Sequence, residues 1–243
     1  MVRHVTKTRL ASLLVALALW CSPRVAASQL QLRPADARFW IAAGGAVVTA
    51  AVLDERMRHT SLAHRSGVLD DLADAGNAMG TGRNLIAGLA VTYVAARLVK
   101  RRGVADDVLR VAAGYAVSNA IVGVLKPIVG RHRPDSTNDA WRFDPLTTAG
   151  TFHSFPSSHA VHAFSLAAGA AIVSRRAWVG AAGYSAATVV AWSRIYDDQH
   201  WGSDVTASAV IGIASAATTI RWLDRRFPRQ TASAPSGAAP HPR

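Results

Sequence analysis

Cysteine is nearly missing from this chain. Cys21 is the only one, so a disulfide within the chain is excluded. Aromatic residues make up only 7% although half the residues are hydrophobic, and much of that half is alanine. Such a composition favours helices over strands. Sustained strand-type alternation is missing, and so is a repeat at a solenoid period. Acid is in short supply: 15 Asp and Glu face 27 Lys and Arg, a formal net charge of +12. A basic balance suits nucleic acid, anionic lipid or an anionic substrate, and equally describes solvated arginines at helix ends. The 243 residues are enough for one domain with a full core.

What is present begins with a leader pattern. Residues 1–9 are basic, residues 10–20 are apolar, and Val25 and Ala27 have signal-peptidase spacing. The pattern predicts a secretory leader over residues 1–27, cleaved after Ala27, with an uncleaved anchor as the alternative. Cys21 falls inside it, after bulky Trp20, which argues against lipidation of that thiol.

Long apolar runs are lacking too. Six stretches free of Asp, Glu, Lys and Arg follow: 39–53, 84–96, 111–125, 160–174, 177–193 and 205–220, each 13–17 residues long. A membrane span usually takes about 20, so each needs flanking residues to complete it. Their Gly, Ala and Ser content suits close helix packing in lipid or in a tight soluble bundle. Basic clusters at Lys100-Arg101-Arg102, at Arg175-Arg176, and at Arg221, Arg225, Arg226 and Arg229 share one side if the stretches cross. By the positive-inside rule that side is cytoplasmic, and the segments 126–157 and 193–204 face outward. With an exported leader, this parity requires one early segment not to cross, and 39–53 is the expected one. The fold expected is an all-α bundle of about five to six apolar core helices, membrane-embedded; a soluble periplasmic bundle is the alternative. Residues 28–83 read as an N-terminal helical segment and polar connector with a short helix around Val68–Ala75. Residues 84–229 read as the catalytic core, and 230–243, rich in Pro, Ala and Ser, as a disordered tail.

Three motifs carry chemistry. In SRIYDDQHWGSD (193–204), His200 and Asp204 are four apart, a spacing that puts a carboxylate beside an imidazole on a helix face. Arg194 precedes them at anion-holding distance along the chain. In SFPSSHA (154–160), Ser157 and Ser158 suit a helix N-cap, whose first N–H groups offer an anion site, and His159 sits in that first turn as a proton donor. In KPIVGRHRP (126–134), Lys126 and Arg133 flank a turn at Gly130. Taken singly these are a surface pair, a plain N-cap and a basic helix end. Together they serve one task, holding and attacking a phosphoryl group, which needs mainly positioning and charge.

The three motifs resemble those of the type 2 phosphatidic acid phosphatase superfamily, which includes class A acid phosphatases and vanadium haloperoxidases. That family's signature is Lys-x6-Arg-Pro, Pro-Ser-Gly-His and Ser-Arg-x5-His-x3-Asp. Lys126 to Pro134, Pro156 to His159 and Ser193 to Asp204 agree in every fixed spacing, with Ser158 standing where glycine is usual. The resemblance covers about residues 84–222. It implies a helical bundle and a phosphatase that needs no metal and no cofactor. His200 is then the nucleophile, forming a phosphohistidine; Asp204 orients it; His159 protonates the leaving oxygen and later activates water. Lys126, Arg133, Ser157, Ser158 and Arg194 hold the phosphoryl oxygens. The sequence itself shows no Asp/Glu/His cluster at metal-ligand spacing.

Other residues are read more plainly. Arg131 and His132 line the site mouth or are solvated. Asp197 and Asp198 are turn residues. Trp201 packs, and His162 supports His159 or packs. His153, Trp141 and Arg142 are loop residues. The substrate expected is a phosphorylated lipid, met at the outer face of the inner membrane, with no nucleic acid as partner. Alternatives are a soluble periplasmic acid phosphatase acting on small phosphomonoesters, a vanadate-dependent haloperoxidase, and a non-catalytic basic binding protein. Oligomeric state is left open.

Overall fold

The computed structural model describes residues 34–229, so the expected leader over 1–27 and tail over 230–243 lie outside the described residues. Among the described residues there are seven α-helices and no strand. They are α1 (Ala37–Ala63), α2 (Gly67–Gly80), α3 (Gly82–Leu98), α4 (Arg102–Val129), α5 (Ser158–Ser174), α6 (Ala177–Tyr196) and α7 (Gly202–Arg226). The segment between α4 and α5 holds two 3-10 turns, Pro134–Ser136 and Gly150–Phe152. The helix expected around Val68–Ala75 is longer, filling Gly67–Gly80. The polar residues from Asp54 onward do not form a connector, because α1 continues through them to Ala63.

The helices outrun the apolar stretches because the charges at their ends find partners. Near the start of α4 and the end of α7, Arg110 donates to Asp224 at 2.9 Å and Arg229 pairs with Asp107 at 2.8 Å. Such pairs let α4 and α7 carry charge past the apolar limit. With α1, they are long and apolar enough to cross a membrane. Large apolar side chains stay exposed along α1 (Ile41, Val48, Val52), α3 (Ile86, Val91) and α4 (Val117, Val124). A belt of this kind is a lipid-facing surface, and the fold is a membrane-type helical bundle.

The core is built from small residues. Ala160, Ala163, Phe164 and Ala167 of α5 meet Ala187, Val190 and Ala191 of α6 and Val205 of α7. α5 is the central helix, packed against α4, α6 and α7. The closest approach is at Gly212 of α7. A Cβ there would lie 2.5 Å from the Val161 carbonyl oxygen and 2.8 Å from the Ser165 nitrogen, both backbone atoms of α5. Only glycine lets the two backbones come this near.

Candidate active site

The site forms where α4, α5 and α7 end or begin. α4 stops at Gly130, which takes φ +58, and any side chain there would overlap the Asp144 carbonyl. The chain then folds back on itself. Asp144 N–H donates to the Gly130 carbonyl at 2.8 Å and Ser154 N–H to the Arg131 carbonyl at 3.0 Å. This returns residue 154 to the end of α4, so Lys126, Arg133 and the start of α5 become neighbours. Lys126 Nζ donates to the His153 carbonyl at 2.7 Å.

The chain after α6 folds back as tightly. The N–H groups of Gln199 and His200 both donate to the Arg194 carbonyl at 3.1 Å, which swings His200 beside Arg194. Arg133 joins them through Gln199, whose Oε1 accepts Arg133 Nη1 at 2.5 Å while its Nε2 donates to Asp135 at 2.9 Å. Lys126 feels the charges of Arg133, Arg194 and Asp204. His159 lies within the fields of Arg194, Lys126 and Arg133. The residues expected to bind phosphate and to react are thus brought to one end of the bundle.

Ser157 is the N-cap of α5, but its hydroxyl caps nothing. The oxygen is buried without a hydrogen-bond partner, while Ser157 N–H donates to Ser208 Oγ of α7 at 2.8 Å. Ser158 opens α5 with no left-handed backbone, so the backbone conformation there does not call for glycine. Arg194 Nη1 makes a short hydrogen bond to Asn77 Oδ1 and lies 3.5 Å from Asp197, whereas its Nε is buried and unpartnered.

His200 is 4% exposed. Burial pushes its imidazole down to about 4; Asp204 pulls the other way, and Lys126 and Arg194 add to the depression. The ring is therefore neutral at neutral pH, with one ring nitrogen carrying a free lone pair. Its Nδ1 lies 3.8 Å from Asp204 Oδ2, an ion-pair distance longer than a hydrogen bond, and has no other partner. Asp204 is anchored elsewhere. Its Oδ1 accepts Arg131 at 2.6 Å, and its Oδ2 accepts Ser154 Oγ at 2.5 Å and Trp201 N–H at 2.9 Å.

Arg131 and His132 are not solvated loop residues. Both are buried, because the Gly130 turn drives them inward: Arg131 reaches Asp204 and Asp54, and His132 bonds Asp144 at 2.8 Å. Asp198 is more than a turn residue, since it holds Arg58 of α1 through both oxygens at 2.7 and 2.8 Å. Trp201 is packed as expected, with Nε1 donating to the His132 carbonyl. His162 is a packed helix histidine, bonded to Asn119 at 2.9 Å. Sequence reasoning missed Asp54 and Asn77, which lie outside the three motifs. Among the described residues no group of three or more His, Cys, Asp or Glu is placed to hold a metal ion.

The chain belongs to the PAP2 superfamily, whose family model matches residues 107–228. Over 104 residues it is 35% identical to a lipid A 1-phosphatase of Porphyromonas gingivalis, a match covering 42% of this chain and 20% of that protein. Its fold is similar to a transmembrane PAP2 type phosphatidylglycerolphosphate phosphatase from Bacillus subtilis. There the TM-score is 0.61 at 19% identity, covering 79% of this chain and 98% of the other. It is also similar to Aquifex aeolicus LpxE, with a TM-score of 0.56 at 20% identity, covering 70% and 95%. The chain thus spans about a fifth of the curated relative it matches and nearly all of both solved structures.

Proposed function

We propose that this protein is a metal-independent phosphatase that removes phosphate from a lipid phosphate or lipid diphosphate at the outer face of the inner membrane, through a phosphohistidine intermediate. The observation that carries this reading is the clustering of Lys126, Arg133 and Arg194, of which Lys126 and Arg194 face a neutral, buried His200. Buried donors without partners accompany it, Arg194 Nε and Ser157 Oγ. Unpaired buried polar groups are costly, and an oxyanion bound at these helix ends would offer acceptors to such donors.

Asp204 lies on the Nδ1 side of His200, so Nε2 is the nitrogen that meets phosphorus. As the N–P bond forms, the bond from phosphorus to the ester oxygen breaks, and His159, holding a proton taken from the arriving phosphate, gives it to that oxygen. His159 then takes a proton from water, the water oxygen bonds to phosphorus, and the N–P bond breaks to release phosphate. The cations and the first N–H groups of α5 hold the three remaining oxygens and the charge that grows on them.

The lipid is supported by the apolar belt and by a groove of about 220 Å³ beside Arg131, lined by Val47, Ala51, Val129, Trp141, Phe143 and Phe155. The outward face is supported by charge. The basic clusters lie at the ends of α3, α5 and α7 away from the site, and cytoplasmic ends are the basic ones. If α1 begins on that same side, every helix except α2 crosses, with α2 and not 39–53 as the early segment that stays out, and this arrangement replaces the exported leader of the sequence expectation. α2 then stays on the site's side, where Asn77 meets Arg194.

The test is a panel of lipid phosphates, lipid diphosphates and soluble monoesters, assayed in EDTA with the purified protein and with His200→Ala. The expected result is hydrolysis of lipid substrates, lost by several orders of magnitude in the variant. Equal activity in both proteins refutes the nucleophile. A preference for soluble monoesters refutes the lipid.

A further inference from the structure

Helix α1 sends one carboxylate into the site. Asp54 is 1% exposed, 18 residues into a helix whose outer face is apolar. Its Oδ1 accepts the backbone N–H of Ser203 at 2.7 Å, and its Oδ2 accepts Ser203 Oγ–H at 2.5 Å. Asp54 thus satisfies a donor in the first turn of α7, one residue before Asp204. Its Oδ2 also accepts Arg131 Nη2 at 2.8 Å. The same guanidinium donates through Nη1 to Asp204 Oδ1 at 2.6 Å and to Ser203 Oγ at 2.7 Å, and through Nε and Nη2 to the Ala140 carbonyl. The approach of α1 is tight: a side chain at Gly202 would strike Met57 and crowd Asp54.

Two buried carboxylates therefore share one buried guanidinium, and the cluster carries one net negative charge. Had Arg131 faced Asp204 alone, the two would form a closed neutral pair, with nothing left to act on His200. We propose that Asp54 and Arg131 are positioning residues of this site: Arg131 fixes the Asp204 carboxylate beside His200, and Asp54 balances Arg131 so that a full negative charge remains there when His200 becomes cationic on bonding to phosphorus. That cation arises because the ring keeps its Nδ1 proton while Nε2 takes the phosphoryl group. The other charges facing His200 are Lys126 and Arg194, both positive, so Asp204 is the negative group that offsets them, and Arg131 and Asp54 reach His200 through Asp204. Arg131 holds Asp54 of α1 to the motif residues, which makes a helix outside residues 107–228 part of the reacting apparatus.

The inference rests on His200 as the reacting group, so its test includes a readout that needs no turnover. The His200 ring is titrated by NMR in detergent on protein labelled at histidine Cε1, for the unmodified chain, Asp54→Asn, Arg131→Gln and the double variant. Neutralising Asp54 makes the cluster neutral and moves the His200 titration to lower pH. Neutralising Arg131 makes the cluster doubly negative and moves it to higher pH. The double variant restores one net negative charge and returns the titration toward its original position. The rate follows the charge: Asp54→Asn lowers kcat by about 10- to 100-fold with KM changed less than about threefold, and adding Arg131→Gln regains at least about tenfold. A role limited to holding α1 in place moves both single variants the same way and makes the double variant the worst. That pattern, or a His200 titration unmoved in all three, overturns the proposal. If Asp54→Asn does not fold, the upward shift in Arg131→Gln and its reversal in the double variant still decide. If the unmodified protein hydrolyses no phosphate, the titrations stand alone and the failure belongs to the proposed activity.

Discussion

Replacing Gly212 by alanine adds one methyl group, and the structure says what it meets. The new carbon would lie 2.5 Å from the Val161 oxygen, 2.8 Å from the Ser165 nitrogen and 3.2 Å from Phe164 Cβ. Ordinary contact distances begin at about 3.5 Å, so α5 and α7 must separate by about 1 Å. Neither obstructing backbone atom can rotate away, since both sit inside α5. Overpacking of this kind costs about 1–3 kcal/mol. The functional loss is expected to be larger. α5 carries Ser157 and His159, α7 carries Asp204, and Ser157 N–H reaches Ser208 across the same seam. A shift of about 1 Å in a reacting group lowers a rate by roughly 100-fold. The assay is kcat on the best phosphate of the panel, with the thermal midpoint in detergent. Gly88→Ala serves as the control, because nothing lies within 4 Å of an added Cβ there. The reasoning is refuted if Gly212→Ala keeps kcat within about twofold and melts with the unmodified protein.

Three further outcomes are expected. Asn77→Ala removes the acceptor for Arg194 and the donor to Asp197 at 2.5 Å, so kcat/KM falls by about 10- to 100-fold, and competitive inhibition by inorganic phosphate weakens in parallel. Gln199→Ala frees the Arg133 guanidinium and lowers kcat/KM by about tenfold, while the thermal midpoint shifts little, because Gln199 side-chain bonding lies partly exposed. The third concerns pH. Unfolded, His200 binds a proton near 6.5; folded, it resists until about 4. The unfolded chain binds more protons between these values, so folded stability declines as pH drops from 6.5 to 4, by roughly 3 kcal/mol at the lower end, and is unaffected by this group above 6.5. His200→Asn should flatten that part of the profile of thermal midpoint against pH; an unchanged slope assigns the loss to other groups.

The helical class was legible because alanine-rich, strand-poor composition leaves little choice. The extent of the helices was not. An apolar stretch in the sequence ends at its first charge, yet Arg110 lies in α4 and Asp224 in α7, paired with each other. A charge ends an apolar run in the sequence, whereas in the bundle it ends a helix only if it lacks a partner. The same cause hid the full length of α1: Asp54 and Arg58 look like the start of a polar connector, yet they bond to Ser203 and Asp198, 149 and 140 positions away.

The motif residues were legible for a different reason. Lys126, Arg133, Ser157, His159, Arg194, His200 and Asp204 come in short segments whose internal spacing is set by local turns, at Gly130 and at the Arg194 carbonyl. Local geometry leaves a local trace. Asp54 and Asn77 act through single side chains on helices, and no spacing rule ties a lone residue to a partner on another helix. Arg131 is visible in the sequence, but a basic residue in a loop is usually solvated, and it takes both Asp54 and Asp204 to make its burial tolerable. One sequence feature could have pointed to Asp54, a carboxylate lying directly after a charge-free run of membrane-helix composition. Such a group must find a cation or a donor inside the bundle. The unassigned buried arginine of the Lys126–Pro134 segment was the natural partner to seek. An acid at that depth in α1 and an extra arginine after Gly130 are thus linked. Replacing Arg131 alone leaves two carboxylates facing each other out of reach of water, a buried charge imbalance costing about 3–5 kcal/mol. The double variant Asp54→Asn with Arg131→Gln should therefore melt well above Arg131→Gln, and equal thermal midpoints would show that the two side chains do not depend on one another.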